Sequence, residues 1–233
     1  MLVEVAGARF LTDPLLRPRI GHVKRLVPLP DPAGLEPDAI LISHAHHDHL
    51  DVPSLRWVAR RCPVIVPRRL GGMLGRRGIQ NVIEVDVGDS VPVSGVSIVA
   101  IPAAHDGRRY PGGRRRAAIG YLLEASTSVY FAGDTDLYPG MRELTGRVDV
   151  AALPIWGWGP RAGRGHLDPE RAAEAAAVIR PRVVIPIHWG TLSVIWGGDG
   201  DRFRPARAFA EALARIAPDV EARVLAPGER TSL

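Results

Sequence analysis

Ala39-Ile40-Leu41-Ile42-Ser43-His44-Ala45-His46-His47-Asp48-His49-Leu50 is a short apolar run that ends abruptly in four histidines and an aspartate. The apolar part reads as a buried strand. Five of the six residues from His44 to His49 carry groups that bind divalent metals, because imidazole and carboxylate are the ligands zinc and its neighbours take. In extended backbone, residues two apart face one way, so His44 and His46 can reach one metal. Asp48 and His49 lie past the next bend and can serve a second. A solvated polar loop rarely gathers so many ligand-type side chains without a metal to hold them.

The pattern repeats along the chain. Val96-Ser97-Ile98-Val99-Ala100-Ile101 leads to His105, Ser128-Val129-Tyr130-Phe131-Ala132-Gly133 to Asp134, and Val183-Val184-Ile185-Pro186-Ile187 to His188. Buried strands that carry functional groups just beyond their ends are how rigid sheets present sites on loops. Four such strands ending at one edge bring seven ligands together. That is enough for two metals about 3.5–4 Å apart with a bridging carboxylate.

His44-x-His46-x-Asp48-His49, followed by His105, Asp134 and His188, resembles the metallo-β-lactamase-fold hydrolases. Within them, Gly165-His166-Leu167-Asp168-Pro169-Glu170 and Pro186-Ile187-His188-Trp189-Gly190-Thr191 look like the branch that holds ascorbate-6-phosphate lactonase and N-acylphosphatidylethanolamine phospholipase D. The resemblance covers nearly the whole chain. It implies a mixed α/β fold, a four-layer αββα sandwich forming a single domain over residues 1–233. It also implies a ligand division: His44, His46 and His105 on one metal, Asp48, His49 and His188 on the other, Asp134 between them. The implied cofactors are two divalent metal ions, zinc first, with manganese or iron as alternatives.

Composition narrows the class. At 233 residues, 46% hydrophobic and 24% charged, the chain is of ordinary globular make-up and long enough to bury a substantial core. Cys62 is the only cysteine, which excludes an intrachain disulfide and a cysteine-rich zinc site. A reducing, cytoplasmic setting is expected. Met1–Thr12 contains Glu4 and Arg9 and lacks the apolar core of a signal peptide. No apolar run approaches the 18 or so residues of a membrane-spanning helix. The net charge is +5, yet Lys24 is the only lysine and the arginines are scattered. That pattern reads as GC-rich coding before it reads as a nucleic-acid surface.

The remaining segments frame the site. Leu2–Val5 and Arg9–Thr12 read as a hairpin around Ala6-Gly7, closed by Asp13-Pro14. The proline-rich segment 14–37 reads as a long loop and a pocket wall. Asp51-Val52-Pro53 opens a helix to about Arg60, and Arg68–Arg77 reads as a glycine-broken surface helix. Arg108 and Arg109, in the charge cluster after His105, are candidates for an anion-attracting rim. Asp136 reads as the N-cap of a helix through about Leu144. Trp156, Trp158 and Trp189 are candidate walls of a substrate pocket. Asp168 and Pro169 open a helix to Ile179, with His166 just outside its N-terminus as a candidate to position substrate or protonate a leaving group.

The expected activity is hydrolysis of a phosphodiester or a phosphorylated ester or lactone on an anionic small molecule. It would use a dinuclear centre and bridging hydroxide, with Asp48 also orienting that hydroxide. Two other classes stay open at this point: an iron-dependent oxidoreductase on the same scaffold, and a non-catalytic nucleic-acid-binding module.

Overall fold

The computed structural model describes residues 1–31, 34–110, 112–157, 163, 165–196 and 200–232. In chain order its elements are β1 (Leu2–Val5), β2 (Ala8–Thr12), β3 (Arg19–Ile20), β4 (Val23–Arg25), β5 (Ala39–Leu41), α1 (Val52–Val58), β6 (Val64–Pro67), α2 (Gly71–Gly75), β7 (Val82–Val85), β8 (Ser90–Val93), β9 (Val96–Pro102), β10 (Ile119–Glu124), β11 (Val129–Phe131), a 3-10 helix (Pro139–Leu144), β12 (Val150–Pro154), α3 (Pro169–Ile179), β13 (Val183–Ile187), β14 (Leu192–Val194), α4 (Arg204–Ile216) and β15 (Glu221–Ala222). They fall into two compact units: Met1–Arg17 with Asp31–Asp134, and Pro18–Pro30 with Thr135–Leu233.

The first unit holds a sheet of order β1-β2-β5-β6-β7, antiparallel at β1–β2 and parallel beyond. Every residue of β5 and β6 is buried, which is why both read as unbroken apolar runs. Ile40, Ile42, Val64 and Val66 turn one face toward Leu55, Leu70 and Leu74 of the helical layer. Full burial of each such side chain stabilises by roughly 1.5–3 kcal/mol. Strands β8 to β11 form an antiparallel meander in the same unit. Tyr121 of β10 is buried and donates its hydroxyl to Ile42 O (2.8 Å) and Ile65 O (3.1 Å), joining the meander to the parallel sheet.

Helix α1 begins directly after the histidine loop. Asp51 caps it by accepting from Ser54 N at 3.0 Å, and Arg17 grips the same carboxylate with two N–H groups. Helix α2 is shorter than the 68–77 segment suggested. Arg69 sits at φ 71 ahead of it, and three glycines, Gly71, Gly72 and Gly75, weaken what remains.

In the second unit, β12 and β13 are parallel and joined by α3, and β15 extends the set beyond β13. Asp168 caps α3 as expected, accepting from Arg171 N at 2.9 Å, and Arg180 closes it in the left-handed region. Ala172, Ala173, Ala175, Ala176 and Ile179 form its buried face, small enough for close approach to its neighbours. Helix α4 buries Phe209 and Leu213. Two expectations change here. The proline-rich segment is not all loop: β3 and β4 turn around Gly21 and pair with β14. Asp136 is not a helix cap. It accepts from Leu137 N (2.8 Å) and pairs with Arg171, while the 3-10 helix starts after Tyr138 with no side-chain cap. Among the described residues no helix is long and apolar enough to cross a membrane.

Candidate metal centre

Three strand ends of the first unit converge. β5 runs out at Leu41 and delivers His44–His49; β9 ends three residues before His105; β11 ends three residues before Asp134. The histidine loop closes on itself, with Leu50 N donating to His46 O at 2.8 Å. Gly133 lets the end of β11 come close to β5. Its φ is +61, and a Cβ there would lie 2.5 Å from Ser43 Cβ.

His44, His46, His105 and Asp134 each offer one donor atom, all within 4.8 Å of one another. His44 Nε2 lies 2.8 Å from His46 Nδ1, and His105 Nε2 lies 3.2 Å from the same Nδ1. Asp134 Oδ2 stands 3.8 Å from His44 Nε2 and 3.1 Å from His49 Nε2, which is itself 3.5 Å from Asp48 Oδ2. A single two-centre hydrogen bond can satisfy only one of the two His46 contacts. A cation among three neutral imidazoles and a carboxylate satisfies them all, so the donor set fits a divalent metal.

What lies behind the donors fixes their orientation. Asp13 Oδ2 accepts from the Ser43 hydroxyl at 2.5 Å, so that hydroxyl accepts from His44 Nδ1 at 3.0 Å. The proton on Nδ1 leaves the Nε2 lone pair facing the centre. His49 donates its own Nδ1–H to Asp13 at 2.7 Å, so Nε2 again faces Asp134. Burial, then the His49 charge, holds His44 well below the ordinary histidine range. His44 is therefore neutral, as a ligand must be. Burial also pulls His49 down, but the carboxylates of Asp134, Asp48 and Asp13 raise it well above its ordinary value. Asp13 is the residue that sequence reasoning passed over as a turn. Its signal was an acid at the end of β2, the strand beside β5.

The remaining residues take varied places. His47 points away from the donors, its ring 5.2 Å from Tyr110, and burial with Arg109 lowers its pKa. Arg108 is engaged with Asp106 through two N–H groups. Arg109, also expected on a rim, reaches into the histidine loop instead and donates to Ala45 O and Leu50 O. In the second unit, His188 follows β13 at φ +61 and donates Nδ1–H to Trp156 O at 2.9 Å, leaving Nε2 to face outward from that bond. His166 lies with its ring centroid 6.3 Å from that of His188. Trp189 is only 6% exposed, bonded through its indole N–H to Pro186 O and stacked edgewise on Phe203, which leaves it little surface for a substrate. Trp156 is half-buried, and Trp158 lies outside the described residues.

Comparison with known proteins places this arrangement. The beta-lactamase superfamily domain matches residues 8–189. A UPF0173 metal-dependent hydrolase of Deinococcus radiodurans is 33% identical over 227 residues, covering 97% of this chain and 92% of its own. Another, from Methanopyrus kandleri, is 31% identical over 237 residues, covering 97% and 93%. Among solved structures, Igni18, a metallo hydrolase from the hyperthermophilic archaeon Ignicoccus hospitalis, superposes with a TM-score of 0.70 at 25% identity, covering 98% of this chain and 91% of that one. The fold is the mixed α/β metallo-β-lactamase sandwich expected from the sequence.

Proposed function

Because this chain belongs to the beta-lactamase superfamily domain family, among the UPF0173 metal-dependent hydrolases, we propose that it hydrolyses an anionic small molecule, a phosphodiester or a phosphorylated ester or lactone, at a dinuclear metal centre. The observation that carries this reading is the meeting of His44 Nε2, His46 Nδ1 and His105 Nε2 within 3.2 Å contacts, with Asp134 beside them. His44, His46 and His105 would hold one ion. Asp48 and His49 belong to the other, and Asp134 Oδ2, near both His44 and His49, suits a bridging role. His188 is assigned to the second set on the sequence pattern. Bound divalent metals would supply Lewis acidity and acidify water near neutral pH.

The chain's own groups do the positioning. Asp13 and Ser43 hold the His44 tautomer, and Asp48 is assigned to orienting the hydroxide. His166 is assigned to leaving-group protonation, and Trp156 to the pocket wall. With two carboxylates and one hydroxide against two dications, the centre keeps a net charge of about +1, which favours an anionic substrate. The His166–Glu170 and Pro186–Thr191 segments support a place near the ascorbate-6-phosphate lactonase and N-acylphosphatidylethanolamine phospholipase D branch.

Metal content of the purified protein, measured together with hydrolysis of bis(p-nitrophenyl) phosphate and a simple lactone, tests the reading. About two zinc or manganese ions per chain and chelator-sensitive turnover of the phosphodiester are expected. Turnover of the lactone alone would move the assignment to carbonyl chemistry. One iron per chain without hydrolysis would overturn it in favour of redox chemistry.

A further inference from the structure

Arg109 sits four residues after His105, yet its guanidinium is embedded in a different loop. One nitrogen, Nη1, donates to both Ala45 O (2.9 Å) and Leu50 O (3.0 Å). These residues are the two neighbours of the four-residue donor segment His46–His49. Both are fully buried, so their carbonyls need protein donors. Nη2 lies 3.2 Å from His47 Nδ1, at the middle of the same segment. Nε is buried and makes no hydrogen bond among the described residues.

We infer that Arg109 is a positioning residue that staples the two ends of the histidine loop and ties it to the loop bearing His105. The physical case is geometric. The loop must turn sharply to aim His44, His46 and His49 inward, and its own closure is the His46 O contacts from His49 N and Leu50 N. Nothing in those contacts fixes the distance between the Ala45 and Leu50 carbonyls. A single planar guanidinium bonded to both does, and its far nitrogen orients His47 away from the centre. A lysine ammonium could donate to both carbonyls from its one nitrogen but has no second nitrogen to meet His47. The same side chain ties the backbone on either side of His46–His49 to the chain segment four residues beyond His105. Arg109 thereby acts on metal binding without touching metal or substrate.

This inference rests on the metal-centre reading, and its test separates the two. Arg109→Ala and Arg109→Lys are compared with wild type and with Arg56→Ala, an exposed arginine that also donates to a backbone carbonyl, Arg77 O. Affinity for Co²⁺ is read by chelator competition, ligand geometry from the cobalt visible spectrum, and loop order from hydrogen exchange of residues 45–50 in metal-free protein. Arg109→Ala is expected to bind metal 10- to 100-fold more weakly, as loss of an outer partner does. Its cobalt spectrum should shift and the loop amides exchange faster. Millimolar guanidinium should restore affinity, Arg109→Lys should fall between, and Arg56→Ala should match wild type. Wild-type affinity, spectrum and exchange in Arg109→Ala would overturn the inference, the more so if KM for an anionic ester rises instead. If the alanine variant does not fold, Arg109→Lys decides by the same readings: weakened affinity with native circular dichroism supports the staple, and wild-type affinity refutes it. A wild-type protein that binds no metal would overturn the centre itself, and the staple with it.

Discussion

Asp13 and Ser43, 30 residues apart, meet through two hydrogen bonds: Oδ1 accepts from the Ser43 amide at 2.7 Å and Oδ2 from its hydroxyl at 2.5 Å. Oδ2 also accepts from His49 Nδ1. One carboxylate thus orients two candidate ligands through their rear nitrogens. Asp13 reaches this position at φ +40, a conformation that aspartate tolerates better than most side chains.

Asp13→Asn keeps one acceptor and turns N–H groups toward donors. We expect metal affinity to fall 10- to 100-fold, with the larger effect if the amide nitrogen faces His49. Competition with a chromophoric chelator measures it. Affinity within twofold of wild type would refute the orienting role.

The four histidines of the loop should not behave alike. His44→Ala and His46→Ala are expected to lose at least one metal per chain. His47→Ala should retain the full complement, because its ring faces Tyr110 and Arg109. Elemental analysis after dialysis gives the count, and metal loss in His47→Ala would reverse the assignment.

Gly133→Ala adds a methyl group into Ser43 Cβ and forces an L-residue to φ +61. Overpacking and left-handed strain together should cost about 2–5 kcal/mol. Thermal unfolding should shift down by roughly 5–15 °C for a chain of this size. A Tm within 2 °C or so of wild type would show that the contact relaxes freely.

Tyr121→Phe removes the hydroxyl shared by Ile42 O and Ile65 O and should cost about 1–2 kcal/mol in chemical denaturation. Burial, reinforced by the Asp13 charge, raises the Tyr121 pKa well above the ordinary tyrosine value. The folded state therefore keeps its proton where the unfolded chain has lost it. The stability tied to that proton is complete below about pH 10 and declines as pH rises beyond it. The phenylalanine variant should have a flatter alkaline limb. Parallel limbs would mean that Tyr121 ionises normally.

Much of this was legible in the sequence. The apolar runs ending in His44, His105, Asp134 and His188 are all strands in the structure; β5 and β11 are buried throughout and β9 and β13 for the most part, and buried strand positions favour apolar side chains. Helix α3 is found at the expected bounds, since its signal is local: an N-cap, a proline and an alanine face. The short strands β3, β4 and β14 were illegible, because two or three residues carry no periodicity and their pairing partner lies far along the chain.

Residue types and spacing determined the fold class and marked the candidate ligands, since chemistry of that density is written in the side chains themselves. Only the tertiary structure decided what stands behind them. Asp13 is a turn residue until β2 lies beside β5, and Arg109 is one cation in a charged stretch until its guanidinium meets Ala45 O and Leu50 O. Both roles depend on partners 30 to 64 residues away. Hydrogen bonds that close such distances follow from the packing of strands, and no local pattern encodes them.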